Sequence, residues 1–287
     1  MYGAIEAGGT KFVCAVSDKD LNIIEKVTIP TSKPETTFEK VFEFFDQFNL
    51  ESIGIGSFGP IDVNKDSTKY GYIRKTPKKY WTDTNFVGVF KERYQVPIAW
   101  ATDVNAAALA EYKLGAAKDK NSCIYLTVGT GFGGGAIVDG KILEAFNHPE
   151  MGHFYPKRHE KDNYEGKCAF HGDCLEGLAS GPAIEERYGV SAKELAKDHE
   201  AWEIEAHYLA HAALAYTMIL RPECIIYGGG VMEQKHLFPK IHKKFEELMA
   251  DYLEIPSIEE YIVPTDLGNE SGIIGSLLLA EVAYKEF

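Results

Sequence analysis

Four side chains in one stretch of the sequence, His153, Cys168, His171 and Cys174, offer two imidazoles and two thiolates, and three of them fall in the pattern Cys168-x-x-His171-x-x-Cys174. A structural zinc ion takes four such ligands tetrahedrally, so both type and count match. With only Cys and His in the shell and no open position, the ion would brace the loop rather than do chemistry. His148 and His159 are rival ligands in the same stretch. The bland alternative is an unrelated scatter of Cys and His, which soluble domains seldom concentrate in this way. Two acids flank the segment, Glu150 and Glu176, and a loop fixed by metal would fix them too. Carboxylates that accept hydrogen bonds from several hydroxyls are a common grip on a sugar, although either residue alone would pass for a solvated surface charge.

Asp103-Val104-Asn105 lies where a strand reading gives way to a helix reading. Asp103 is either an N-cap or a general base for an attacking hydroxyl, and Asn105 either caps or hydrogen-bonds a polyol. Three glycine turns carry the remaining chemistry. Gly8-Gly9-Thr10-Lys11 joins two strands and sets backbone N–H groups, a hydroxyl and a cation where a phosphate could approach. It lacks the spacing and the following helix of a Walker loop, and a plain tight turn is the competing reading. Gly129 to Gly135, with Thr130, Gly131, Gly133 and Gly134, has more glycine than a hairpin needs. Its GxGxxG spacing is no dinucleotide fingerprint, because an antiparallel strand is expected after it. Gly228-Gly229-Gly230-Val231 follows an apolar strand and precedes a helix, which suits a phosphate or an adenosine as well as it suits a structural turn.

The elements that must position these residues follow from periodicity. Strands are expected at 2–7, 11–17 and about 22–29, a helix over Pro34 to Phe48, and a strand at Ile53 to Gly56. An irregular segment from Phe58 to Trp81 leads to a helix at Asn85 to Tyr94, a strand at Pro97 to Ala101, and a helix from Asp103 to about Gly115. The order then restarts, with strands at Cys123 to Val128, Gly135 to Val138 and Lys141 to Glu144, and a glycine-rich turn at Gly129 to Gly134. After an irregular insertion come helices at Glu203 to Leu220, Lys235 to Tyr252 and Glu270 to Tyr284, alternating with strands at Cys224 to Tyr227 and Tyr261 to Val263. One strand-helix order thus appears twice, offset by roughly 120 residues, which is the mark of a duplicated α/β fold. The polar run Lys118 to Asn121 places the expected boundary, giving domains at 1–118 and 119–269 around a ligand cleft, with the last helix, 270–287, packing back on the first.

Composition narrows the class. The 287 residues include 45% hydrophobic ones, enough for a packed core. Lys plus Arg number 30 against 43 Asp plus Glu, a net charge of −13, which disfavours nucleic acid as a partner and requires any anion to be held by local dipoles or a metal. No apolar run approaches a membrane span and the first residues lack a signal pattern, so no membrane partner and a cytoplasmic location are expected. Of five cysteines, Cys14, Cys123 and Cys224 sit in apolar strands as core thiols.

Taken together, Glu6-Ala-Gly-Gly-Thr-Lys, Gly56-Ser-Phe-Gly-Pro-Ile-Asp, Asp103-Val-Asn-Ala-Ala-Ala-Leu-Ala-Glu, the Gly129 to Gly135 loop, Glu150-Met-Gly-His153, the Cys/His loop running into Leu175-Glu-Gly-Leu-Ala-Ser-Gly, and Leu267-Gly-Asn-Glu-Ser-Gly-Ile-Ile-Gly-Ser make the chain resemble the ROK family of sugar kinases and repressors. Within it the ATP-dependent fructokinases are nearest. The resemblance implies a duplicated ribonuclease-H, actin-like fold and ATP- and magnesium-dependent phosphorylation of a hexose, most simply D-fructose, with glucokinase or mannokinase activity as the alternative. It also implies Asp103 as catalytic base, Gly59, Glu150, His153 and Glu176 at the sugar, where the position of Asn105 adds a candidate, and a structural zinc on His153, Cys168, His171 and Cys174. Gly8 to Lys11, Thr130 to Gly134, Pro182 and Gly228 to Val231 fall at the nucleotide, and a homodimer is expected. The family's other branch, a sugar-responsive repressor, is disfavoured by the charge and by a sequence that opens on the first strand of the kinase fold. Three residues depart from the family pattern: Thr102 stands where asparagine is common, Glu6 where many kinases of this fold carry an aspartate toward magnesium, and His171 where a third cysteine is usual.

Overall fold

The computed structural model describes residues 1–286. In chain order the elements are β1 (Tyr2–Ala7), β2 (Lys11–Ser17), β3 (Ile23–Pro30), α1 (Pro34–Phe45), β4 (Ser52–Ser57), β5 (Tyr72–Ile73), β6 (Thr84–Asn85), α2 (Phe86–Tyr94), β7 (Ile98–Thr102) and α3 (Asp103–Leu114). They continue with β8 (Cys123–Val128), β9 (Phe132–Val138), β10 (Lys141–Ile142), α4 (Leu175–Ala179), α5 (Gly181–Tyr188), α6 (Ala201–Leu220), β11 (Ile225–Gly228), α7 (Leu237–Met249), α8 (Ile258–Tyr261), β12 (Ile262–Pro264) and α9 (Ser271–Glu286).

The repeat seen in the sequence is a repeat in space. One five-stranded sheet has the order β3-β2-β1-β4-β7 and the other β10-β9-β8-β11-β12, the same connectivity used twice. In each, a hairpin pairs antiparallel with the central strand and the later strands run parallel to it. The chain forms two compact units, the first made of Met1–Ala110, Ile142–Pro149 and the chain from Glu270 on, the second of Glu111–Lys141 and Glu150–Asn269.

In the first unit, α9 lies on β1 and β4. Small residues permit that approach: a Cβ on Gly54 would come 3.0 Å from the Leu279 Cβ and closer to the α9 backbone. Ser52 Oγ donates to the Ala280 carbonyl at 2.7 Å, and Ser276 Oγ to the Ile5 carbonyl at 3.0 Å. On the other side of this sheet, Phe12, Phe38, Phe45, Trp81, Phe86, Phe90 and Trp100 form an aromatic core. In the second unit α6 is apolar along most of its length because it is buried, and it packs against the more amphipathic α7.

Where the elements differ from expectation the causes are local. The glycine-rich turn is shorter than expected: the Gly129 N–H reaches the Gly131 carbonyl at 2.9 Å, so β9 begins at Phe132 rather than Gly135. Gly133 and Gly134 therefore sit in the ladder opposite Thr127 and Leu126. Gly228 ends β11, and a 3-10 turn, Gly230–Glu233, follows where a helix was expected directly. The irregular segment contains the short hairpin β5–β6, and the insertion contains α4 and α5, both too short to show a period.

Candidate active site

Asp103 begins α3 at the end of β7. The cap that its position suggested is supplied by its neighbour: Thr102 Oγ1 accepts from the Asn105 N–H at 3.1 Å. Thr102, one of the departures from the family pattern, is buried and serves the helix start. Asp103 Oδ1 accepts from the Val104 N–H at 2.9 Å, and among the described residues no hydrogen bond reaches Oδ2. Desolvation pushes the Asp103 carboxyl up to about 6, against the pull of its backbone hydrogen bond and of His148. Such a group is a carboxylate at neutral pH yet basic enough to take a hydroxyl proton.

Asn105, two residues on, is 1% exposed, and among the described residues neither its Nδ2 nor its Oδ1 has a hydrogen-bond partner. A buried amide with both groups unsatisfied is costly, which fits an amide meant for a ligand rather than for the fold. Glu6, at the end of β1, is pushed up to about 7 by burial first and by the Asp103 charge second, with Lys11 pulling it down. It lies against Gly272 in the first turn of α9, where a Cβ would meet its carboxylate. Gly59 precedes Pro60 through a cis bond, and the adjoining Ile61 N–H donates to His148 Nε2 at 3.0 Å. His148 is thereby occupied within the first unit and does not join the Cys/His cluster.

The first glycine turn is held from outside. Gly8 N–H donates to the Lys11 carbonyl at 2.9 Å, Thr31 N–H to the Thr10 carbonyl at 3.0 Å, and Thr31 Oγ1 to the Gly8 carbonyl at 2.8 Å. The N–H groups of Gly9 and Thr10 have no acceptor among the described residues, as a phosphate-binding turn requires.

In the second unit the other two turns meet. The Gly181 N–H, at the start of α5, donates to the Gly129 carbonyl at 2.8 Å, which brings Pro182 beside the Gly129–Gly131 turn. Gly229 has φ +89°, and a Cβ there would come 2.7 Å from Thr127 Oγ1. A Cβ on Gly129 would lie 3.9 Å from the Gly230 nitrogen. Thr130, Gly131, Pro182 and Gly228 to Val231 are thus one neighbourhood. Gly134 has a packing reason for its small size, since a Cβ would come 2.7 Å from the Met151 sulfur.

His153, Cys168, His171 and Cys174 form one cluster, with a ligand atom from each within 4.8 Å of the others. Cys174 Sγ is 3.5 Å from His153 Nδ1, and Cys168 Sγ is 3.7 Å from Nδ1 of both His153 and His171. Zinc bonds of about 2.3 Å to sulfur and 2.0–2.1 Å to nitrogen place S and N about 3.6 Å apart at a tetrahedral angle, which the three S···N separations match, so the residue types and these distances suit the ion. His159 binds the Lys161 N–H and stays out of the cluster. The geometry also gives His153 two ends: Nδ1 belongs to the cluster, while Nε2 lies 3.9 Å from Glu150 Oε2. Glu176, two residues after Cys174 in α4, accepts from the Phe132 N–H at 3.1 Å, so the cluster is tied to the glycine turn through one carboxylate. A Cβ on Gly131 would come 2.7 Å from that same oxygen.

The ROK family model matches residues 2–283. A fructokinase of Pediococcus pentosaceus is 45% identical over 285 residues, covering 99% of each chain, and one of Streptococcus mutans is 44% identical over 98% of this chain and 97% of its own. Among solved structures, a ROK hexokinase from Thermus thermophilus superposes with a TM-score of 0.81 at 28% identity, covering 100% of this chain and 99% of that one. The two sheets and their helices are accordingly the actin-like fold, and this chain belongs to the ROK family.

Proposed function

We propose that this chain transfers the γ-phosphoryl group of ATP to the primary hydroxyl of D-fructose, giving fructose 6-phosphate and ADP. The observation that carries the chemistry is Asp103, a half-buried carboxylate with one oxygen fixed by Val104 and its basicity raised by burial, and the unsatisfied amide of Asn105 two residues along the same helix supports a polar ligand. Asp103 takes the hydroxyl proton as the sugar oxygen attacks the γ-phosphorus in line, the bond to the β-phosphate oxygen breaks, and ADP leaves with that electron pair. Asn105, Gly59, Glu150, Glu176 and His153 Nε2 are the groups for the sugar hydroxyls. The free N–H groups of Gly9 and Thr10, with Thr130, Gly131, Pro182 and Gly228 to Val231, are those for the nucleotide, while Gly133 and Gly134 belong to the strand ladder. The choice of fructose rests on the kinship just given, at 44–45% identity over nearly whole chains.

Two ions belong to this reading. Magnesium neutralises phosphate charge when bound, and Glu6 is a carboxylate suited to hold it directly or through water, since its burial beside Asp103 favours a cation. Zinc on His153, Cys168, His171 and Cys174 is structural and orients His153 and Glu176. A homodimer and a cytoplasmic location complete the reading.

The test is a panel of fructose, mannose, glucose and other hexoses with MgATP, compared by kcat/KM. Fructose is expected to lead, since a site built on hydroxyl contacts separates isomers well. Turnover of another hexose in preference to fructose overturns the sugar assignment, and turnover of none overturns the activity.

A further inference from the structure

We propose that Lys78 is the cation that contacts the phosphoryl group being transferred at the Gly8 to Lys11 turn, a position that no motif in the sequence marks. This rests on the reading of that turn as a phosphate site. A Cβ on Gly9 would come 2.7 Å from Lys78 Cε and 3.2 Å from its Nζ, so the bare backbone of Gly9 is what lets the ammonium lie on the turn. Lys78 is half-buried, and among the described residues its ammonium has no carboxylate partner and no hydrogen bond. Nearby cations are otherwise engaged: Arg74 pairs with Asp83 at 2.6 Å, and Lys33 and Lys79 lie over the Tyr80 ring at 5.2 and 4.9 Å. Lys11, the cation within the turn itself, acts on Glu6. An unpaired, partly desolvated ammonium beside two N–H groups without acceptors makes a site that lacks only an anion.

The loop is built to hold it there. Trp81 is fully buried, packs against Phe12, Phe38, Phe58 and Phe86, and donates from Nε1 to the Ser32 carbonyl at 2.8 Å. The Trp81 N–H returns to the Lys78 carbonyl at 3.2 Å, closing a turn over 78–81. Tyr80 within it has φ +74°, a conformation that a bulky residue keeps only where its surroundings enforce it. Because Thr31 binds the glycine turn and Ser32 binds Trp81, two consecutive residues fix Lys78 relative to Gly9. A preorganised charge of this kind stabilises the oxygens of the moving phosphoryl group without reorganisation.

The experiment compares wild type with Lys78→Met, Lys78→Arg and Lys79→Met. Lys78→Met is expected to lose about 10²-fold or more in kcat, the scale for removing one preorganised charge contact. KM for fructose should stay within about twofold, melting should be unchanged, Lys78→Arg should recover part of the rate, and Lys79→Met should keep it. In parallel, amine acylation read by mass spectrometry should modify Lys78 in the free wild-type protein and spare it when the non-hydrolysable nucleotide AMPPNP is bound. Full activity of Lys78→Met, or acylation of Lys78 unaffected by AMPPNP, overturns the proposal. If wild type phosphorylates no sugar, the activity reading falls, and protection by AMPPNP alone then decides whether Lys78 faces the nucleotide's phosphates.

Discussion

Asp103 carries a conflict that can be measured. As a base it works only as the carboxylate, so with its carboxyl near 6, kcat/KM should fall at least tenfold per pH unit below that value, and with Glu6 near 7 also needed ionised it should level off only above about 7. A profile flat down to pH 5 would contradict the assignment. The same shift bears on stability with the opposite preference. A carboxyl whose folded pKa lies above its unfolded one costs stability above the folded value and costs nothing below the unfolded one. Asp103→Asn should therefore melt no lower than wild type at pH 7 while losing roughly 10²–10⁴-fold in kcat, and any gain in melting temperature should vanish toward pH 3.5. The residue types were legible: Asp103 and the four clustered Cys and His residues stood out by kind and spacing. What could not be read was division of labour. That Thr102 caps α3 and so leaves Asp103 for chemistry depends on side-chain directions, as does the unsatisfied state of Asn105.

At the scale of elements, the strands that alternate and the helices with a clear apolar stripe were legible, since β1, β2 and β8 lie where periodicity put them. The errors fell where glycine count or shortness hides the pattern, in the Gly129–Gly131 turn and in α4 and α5. Trp81 lies in a segment without periodicity, yet it anchors the loop after β5. Trp81→Ala should cost about 3–5 kcal/mol, seen as a lower urea midpoint, by emptying an aromatic core. Gly54→Val should cost about 1–3 kcal/mol or more, because α9 has no room to retreat from β4 without breaking the Ser52 and Ser276 hydrogen bonds. The Cys/His loop should hold one zinc per chain by elemental analysis. Chelation or Cys174→Ser should remove it, lower the melting temperature and loosen Glu176 from the glycine turn, raising KM for both substrates.

For the whole molecule, duplication was the legible feature, because the repeated order of strands and helices reappears as one strand order in both sheets. The two compact units divide within α3, between Ala110 and Glu111, with Ile142–Pro149 in the first, and only tertiary contacts decide this. Against the net charge of −13, the cation proposed at the phosphate turn is Lys78, and binding of MgATP should weaken with added salt more steeply in wild type than in Lys78→Met.

The placement of α9 on β1 and β4 also sets an order of assembly during translation. The first sheet leaves the ribosome early, but the helix that covers one of its faces is made only after the whole second unit, about 160 residues later. At roughly 5–20 residues per second, Gly54 and its neighbours wait many seconds with that face bare. The second unit, later in the sequence, is therefore the first that can finish folding. The half that begins the chain is completed last, and its exposed sheet is what a chaperone would have to shield in the meantime.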